Sequence, residues 1–122
     1  MRPPEQFRAK RLKFVGEQDG PPERTLKARL IELFEQKGGV RRAYLARITF
    51  EGTDAHSVAL CLYAGSAARI LVEKAERDLV EKIGGIFASI FVRQEHIDIM
   101  FANKTQVAEL DQCCRPFFDA GN

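Results

Sequence analysis

Two Gly-Gly pairs constrain this chain more than any other feature. Gly38-Gly39 and Gly84-Gly85 each follow a charged, helix-patterned run and precede an apolar one, in the segments EQKGGVRRAYLA and EKIGGIFASIFV. Glycine takes up the left-handed conformation at a helix C-terminus without steric cost, so such pairs mark helix ends. Each pair therefore predicts a helix stop followed by a strand. On this reading the unit helix, Gly-Gly, strand, strand occurs twice, either as an internal duplication or as two uses of a common punctuation. The glycines do not form a phosphate cradle, because they follow helices whereas phosphate loops precede one.

The first helix is expected over residues 23–37, after the turn signal Asp19-Gly20-Pro21-Pro22. Proline suits a first turn, where its missing N–H has no intrahelical acceptor. Leu26, Leu30, Leu33 and Phe34 share one helical face. Residues 40–51 then alternate, with Val40, Tyr44, Ala46, Ile48 and Phe50 on one side and Arg41, Ala43, Leu45, Arg47 and Thr49 on the other. That period predicts a strand with one buried face. A turn at Gly52-Thr53-Asp54-Ala55 leads to a second strand, 57–63, which so short a connection should pair antiparallel.

Gly65-Ser66 ends that strand, and a second helix is expected over 67–83, with Leu79 and Ile83 in its apolar stripe. Residues 86–92 and 97–102 read as strands joined by a turn at Gln94-Glu95. Asn103, with Gln106 three residues on, carries an N-cap signature for a last helix bearing Val107, Leu110 and Cys114, which Pro116 stops. Residues 12–15 add a short first strand. The expected fold class is α+β: a mostly antiparallel four- or five-stranded sheet in (β)αββαββα order, with helices mainly on one face. Residues 1–14 read as a basic N-terminal arm, 15–118 as a single domain and 119–122 as a tail.

A chain of 122 residues can bury enough surface to fold as one domain without metals or disulfides. Net charge is +2, too small to announce nucleic-acid binding, although residues 1–14 hold Arg2, Arg8, Lys10, Arg11 and Lys13 against Glu5 alone. No apolar run approaches the ~20 residues of a membrane helix, and the N-terminus has no apolar signal-peptide core. The three cysteines are an odd number, which fits a reducing, cytoplasmic location better than a disulfide framework.

No catalytic, cofactor or metal constellation emerges. Cys61, Cys113 and Cys114, with His56 and His96, lack the spacing of a metal site. The dipole at a helix C-terminus raises a nearby thiol pKa, which argues against Cys113 or Cys114 as a nucleophile. His56 adjoins Ser57, but neighbours on a strand point to opposite faces. Asp98 reads as the polar half of an alternating strand. If buried, it would need a cation such as Arg42, Arg47 or Arg93.

At three places the chain resembles the C-terminal domain of the SseB family, bacterial proteins named for enhanced serine sensitivity. These are Ala43-Tyr44-Leu45 opening a strand, His96-Ile97-Asp98-Ile99-Met100-Phe101, and the ending Cys114-Arg115-Pro116-Phe117-Phe118. The resemblance covers about residues 15–118. It implies a strand with an acidic residue among apolar ones, then a last helix and a Pro-Phe-aromatic terminus. It carries no catalytic residues to this chain, and only the basic arm precedes the match where the family has a further N-terminal domain.

The expected function is a non-enzymatic protein-binding or regulatory module of SseB type. One sheet face, with Ala43, Leu45, Ala59, Cys61, Tyr63, Phe91 and Met100, is expected to lie uncovered and too apolar to stay wet. Leu45, Tyr63, Phe91, Met100, Phe117 and Phe118 are therefore candidates for an interaction surface, with a homodimer or another protein as partner. Phe117-Phe118 alternatively clamp under the sheet. A second reading is a nucleic-acid-binding domain using Arg8, Lys10, Arg11, Lys13, Arg41 and Arg42. A third is a small enzyme whose site forms between subunits.

Overall fold

The strand Arg42–Phe50 (β2) is where the fold assembles. The computed structural model describes residues 12–50, 56–64, 72–91 and 97–120. Four further strands are Leu12–Glu17 (β1), His56–Tyr63 (β3), Asp98–Phe101 (β4) and Phe118–Asp119 (β5). The helices are Pro21–Lys37 (α1), Val72–Ile90 (α2) and Lys104–Asp111 (α3). The sheet order is β1-β2-β3-β4, with β5 also on β2. The fold is thus α+β with a five-stranded, mostly antiparallel sheet, as the sequence predicts.

Two chain segments far apart in sequence share one edge of β2. β1 runs antiparallel to its second half, from Leu12 opposite Phe50 to Glu17 opposite Ala46. β5 covers its start, with Ala43 opposite Phe118. β3 occupies the other edge along Arg42–Thr49. β4 lies parallel to β3, with Leu60 beside Ile99. A parallel neighbour follows from the connection, since α2 returns the chain to the sheet's starting end before β4 begins.

Both faces of β2 are covered, which corrects the expectation of one buried face. On one side α1 and α2 pack Leu26, Leu30, Leu33, Phe34, Leu79 and Ile83 against Ala43, Leu45, Leu60 and Leu62. On the other, α3 sets Val107, Leu110 and Cys114 against Tyr44, Ala46, Ile48, Ala59 and Cys61. Each such fully buried aliphatic side chain contributes roughly 1.5–3 kcal/mol of transfer free energy. Among the described residues Lys27 is the buried exception to the exposure of charged side chains. Its Nζ lies 2.9 Å from Glu17 Oε2 and 3.6 Å from Asp19 Oδ1, tying α1 to β1.

The two Gly-Gly pairs part company. Gly38 and Gly39 have φ of 72° and 92°, and the Gly38 N–H bonds to Phe34 O at 2.9 Å, so α1 ends there as predicted. Gly84 and Gly85 have no positive φ and sit inside α2, which continues to Ile90. Residues 86–90 are therefore helix, not strand. The reason is packing: Leu79, Ile83, Ile86 and Ile90 keep helical spacing and reach the same core as α1. Among the described residues β4 is the one strand between α2 and α3, so the two helix-strand-strand units do not both appear there. The expected helix start and the turns at 52–55, 65–66 and 94–95 lie outside the described residues.

Asn103 caps α3 as expected. Its side chain accepts from the Gln106 N–H at 2.9 Å, and Gln106 Oε1 accepts from the Asn103 N–H at 3.0 Å. The short first strand expected from residue 12 is present and runs on to Glu17, so Leu12, Lys13 and Phe14, assigned to the arm, pair with β2.

The glycine pairs should respond oppositely to substitution. A Cβ at Gly84 or Gly85 meets nothing within 4 Å. Gly84→Ala or Gly85→Ala should each stabilise the chain by about 0.5–1 kcal/mol in urea unfolding. Gly38→Ala should cost about 1–3 kcal/mol, because its backbone conformation is open to glycine almost alone. A destabilised Gly85→Ala variant would contradict the helix through 90.

Candidate functional site

Where the charged and polar side chains go limits what chemistry the surface can hold. The Tyr44 hydroxyl donates to Asp111 Oδ1 at 2.7 Å, joining β2 to α3. Arg42 NH1 lies 3.6 Å from Asp111 Oδ2, and its Nε lies 3.9 Å from Asp119 Oδ2. The cluster thus fastens α3 and the C-terminal strand to the start of β2. Burial, with the Asp111 hydrogen bond second, pushes the Tyr44 hydroxyl up to about 12. A proton held that firmly is ill suited to acid–base work near neutral pH.

The three cysteines all serve the α3 face. Cys114 Sγ lies 3.7 Å from Leu45 O, and Cys113 Sγ lies 3.5 Å from Phe14 O. The adjacent thiols thus rest on two different strands. Burial pushes Cys61 and Cys114 up to about 12 and raises Cys113. Nucleophilic thiols need the opposite shift. Among the described residues no three His, Cys, Asp or Glu side chains meet in a metal-binding group.

One cleft combines apolar and polar groups. It measures about 420 Å³ and lies at the end of the α1–α2 pair, over the sheet. Leu26, Leu45, Val58 and Ile97 form its apolar lining, with Phe87 and Phe91 as a wall. Those two rings stack with centroids 4.5 Å apart. Gln18, Glu23, His56 and Ser57 supply its polar groups. Gln18 Nε2 donates to Glu23 Oε2 at 3.0 Å, and Arg47 Nε donates to Gln18 Oε1 at 3.3 Å, so the polar rim is braced from β2. This volume falls in the range of ligand-binding pockets, and so does the mixed lining.

The residues predicted as one interaction surface do not form one. Leu45 is 1% exposed and sits in the core, so it is closed to a partner except at the cleft floor. Tyr63 and Met100 pack on the α3 side, whereas Phe91, Phe117 and Phe118 pack on the α1–α2 side. The face expected to lie bare is filled by the chain's own helices. Phe118 meets Phe34 edge-on at 5.3 Å, and Phe117 lies 6.4 Å from the same ring, which is the clamp arrangement. Phe91 alone of the six stands in the wall of the cleft. The sequence missed Phe87, Val58 and Ile97 as its companions, because reading 86–92 as a strand split the Phe87–Phe91 pair from α1.

The basic residues are also dispersed. Lys13 stands opposite Thr49, near the far end of β2, and Arg41 precedes its first residue. At about 3.3 Å per residue this separates them by roughly 25 Å. Arg42 faces Asp111 and Asp119 rather than solvent alone. Arg8, Lys10 and Arg11 lie outside the described residues, as does His96. Asp98 is exposed, the polar half of its strand as expected. No described helix is long and apolar enough to cross a membrane.

The result is a five-stranded α+β domain in which Tyr44 with Asp111 and Lys27 with Glu17 join its layers. Comparison with protein families then places it. The description "SseB protein C-terminal domain" matches residues 15–119, and the chain belongs to this family. No curated protein and no solved structure matches it.

Alkaline pH offers a direct check of the α3 face. Cys61 and Cys114 ionise near 9.0 when solvated and near 12 when folded; Tyr44 moves from 10.0 to about 12. Because the folded values are the higher ones, the stability these groups contribute is complete below about pH 9. It is lost as pH rises toward about 12. The urea midpoint should fall between about pH 9 and about pH 11, and a Cys61→Ala/Tyr44→Phe variant should show a flatter decline. A midpoint constant over that range would refute the buried placement.

Proposed function

We propose that this chain is a non-enzymatic binding module of the SseB type that seats an apolar peptide segment of a partner protein in the cleft walled by Phe87 and Phe91. The observation that carries this reading is the cleft itself, a stacked aromatic pair and an apolar floor beside a braced polar rim. Rigid aromatic surface of this kind anchors partner side chains at interfaces, and nearby polar groups fix their orientation. The committed state of Tyr44, Asp111, Arg42 and the thiols supports a role without covalent or acid–base chemistry. On this reading the partner is another protein; that α3 and α1 with α2 occupy the face on which self-association was expected supports it over a second copy.

A peptide library displayed on phage and selected against the immobilised full chain tests this. Selected peptides should carry one or two large apolar residues. They should lose at least about tenfold in affinity against Phe91→Ala and Val58→Glu, a change of ~1.4 kcal/mol or more. Binding should be unchanged by Phe50→Ala, which alters an exposed ring on β2 outside the cleft. Equal binding to the Val58→Glu variant would place the interaction elsewhere, and selection of no peptide would remove the reading.

A further inference from the structure

Neither the backbone nor the packing of α2 calls for glycine at positions 84 and 85. Both residues are exposed, both lie within α2 without a positive φ, and a Cβ at either would meet nothing within 4 Å. Two consecutive glycines in a helix interior weaken it at that point. The next six residues, Ile86-Phe87-Ala88-Ser89-Ile90-Phe91, are uncharged and rich in types that favour strands. Ile86, Phe87, Ile90 and Phe91 are only partly buried where they lie.

The sheet holds a place for that segment. Among the described residues β4 pairs with β3 alone. The Ala102 N–H bonds to Leu62 O at 2.7 Å, so even-numbered residues of β4 turn their main chain toward β3. Ile99 and Phe101 turn theirs outward, and Phe101 is 37% exposed. Five residues separate Phe91 from Ile97 in the sequence, within the length of an ordinary hairpin connection of about 2–5 residues.

We propose that α2 is hinged at Gly84-Gly85, and that Ile86–Phe91 exchanges between its helical form and a strand paired antiparallel with the outer edge of β4. In the helical form Phe87 and Phe91 wall the cleft; in the extended form they alternate with Ile86, Ala88 and Ile90 across the sheet, and the wall is gone. A partner seated in the cleft binds the helical form alone and therefore shifts the population toward it. This consequence rests on the proposed peptide-binding role of the cleft, whereas the exchange belongs to the chain by itself.

The exchange is measured on the full isotope-labelled chain without any partner, by NMR saturation-transfer and relaxation-dispersion methods that detect microsecond-to-millisecond minor states. The expected result is a minor state of about 1%. Its Cα shifts should be those of extended strand at residues 86–91, with Ile99 and Phe101 exchanging at the same rate. The double variant Gly84→Ala/Gly85→Ala should lower its population about tenfold, since alanine favours the helix at both positions. Absence of exchange at 86–91, minor-state shifts of random coil, or an unchanged population in the double variant would each overturn the hinge. Because no ligand is present, these outcomes are independent of whether a peptide binds the cleft.

Discussion

β2 supplies the constraint on which the rest depends. Its residues Ala43 to Ala46 are all buried, with alternate side chains entering opposite cores and with hydrogen-bonded neighbours on both edges. That central stretch has no solvent-facing side, so the other elements are positioned by what they must cover. α1 and α2 close one face, and α3 closes the other. β1 and β5 divide an edge that neither is long enough to fill. The termini of the domain are thereby locked side by side on a single strand.

Polar chemistry follows the same logic. A buried hydroxyl or ammonium costs several kcal/mol unless it is paired. Tyr44 finds Asp111 and Lys27 finds Glu17, so both are satisfied, and no buried side-chain nitrogen or oxygen among the described residues lacks a partner. These pairs hold layers together. Around the cleft over the sheet the lining is largely apolar and aromatic, with the Gln18–Glu23 amide–carboxylate brace, His56 and Ser57 as its polar groups.

The segment after Gly84-Gly85 shows where local pattern and tertiary demand compete. Ile86, Phe87, Ile90 and Phe91 satisfy a helical stripe when continued from Leu79 and Ile83, and they equally satisfy a strand when considered alone. Propensity differences of a few tenths of a kcal/mol per residue are small against the burial offered by α1 and the sheet. The helix wins in the described structure, and the weakness left at the glycines is the cost of that choice.

The sequence by itself determined the class and most of the elements: the α1 face at Leu26, Leu30, Leu33 and Phe34, its stop at Gly38-Gly39, the alternation of β2 and β3, and the Asn103–Gln106 cap. These are local features, fixed by period and by the backbone freedom of single residues. Tertiary structure alone decided that both faces of β2 are covered, that β4 lies parallel to β3, and that Phe87 and Phe91 stand beside Val58 and Ile97. Those outcomes depend on which apolar surfaces meet across long stretches of chain. Residue periodicity says which side of an element is apolar but not what will bury it.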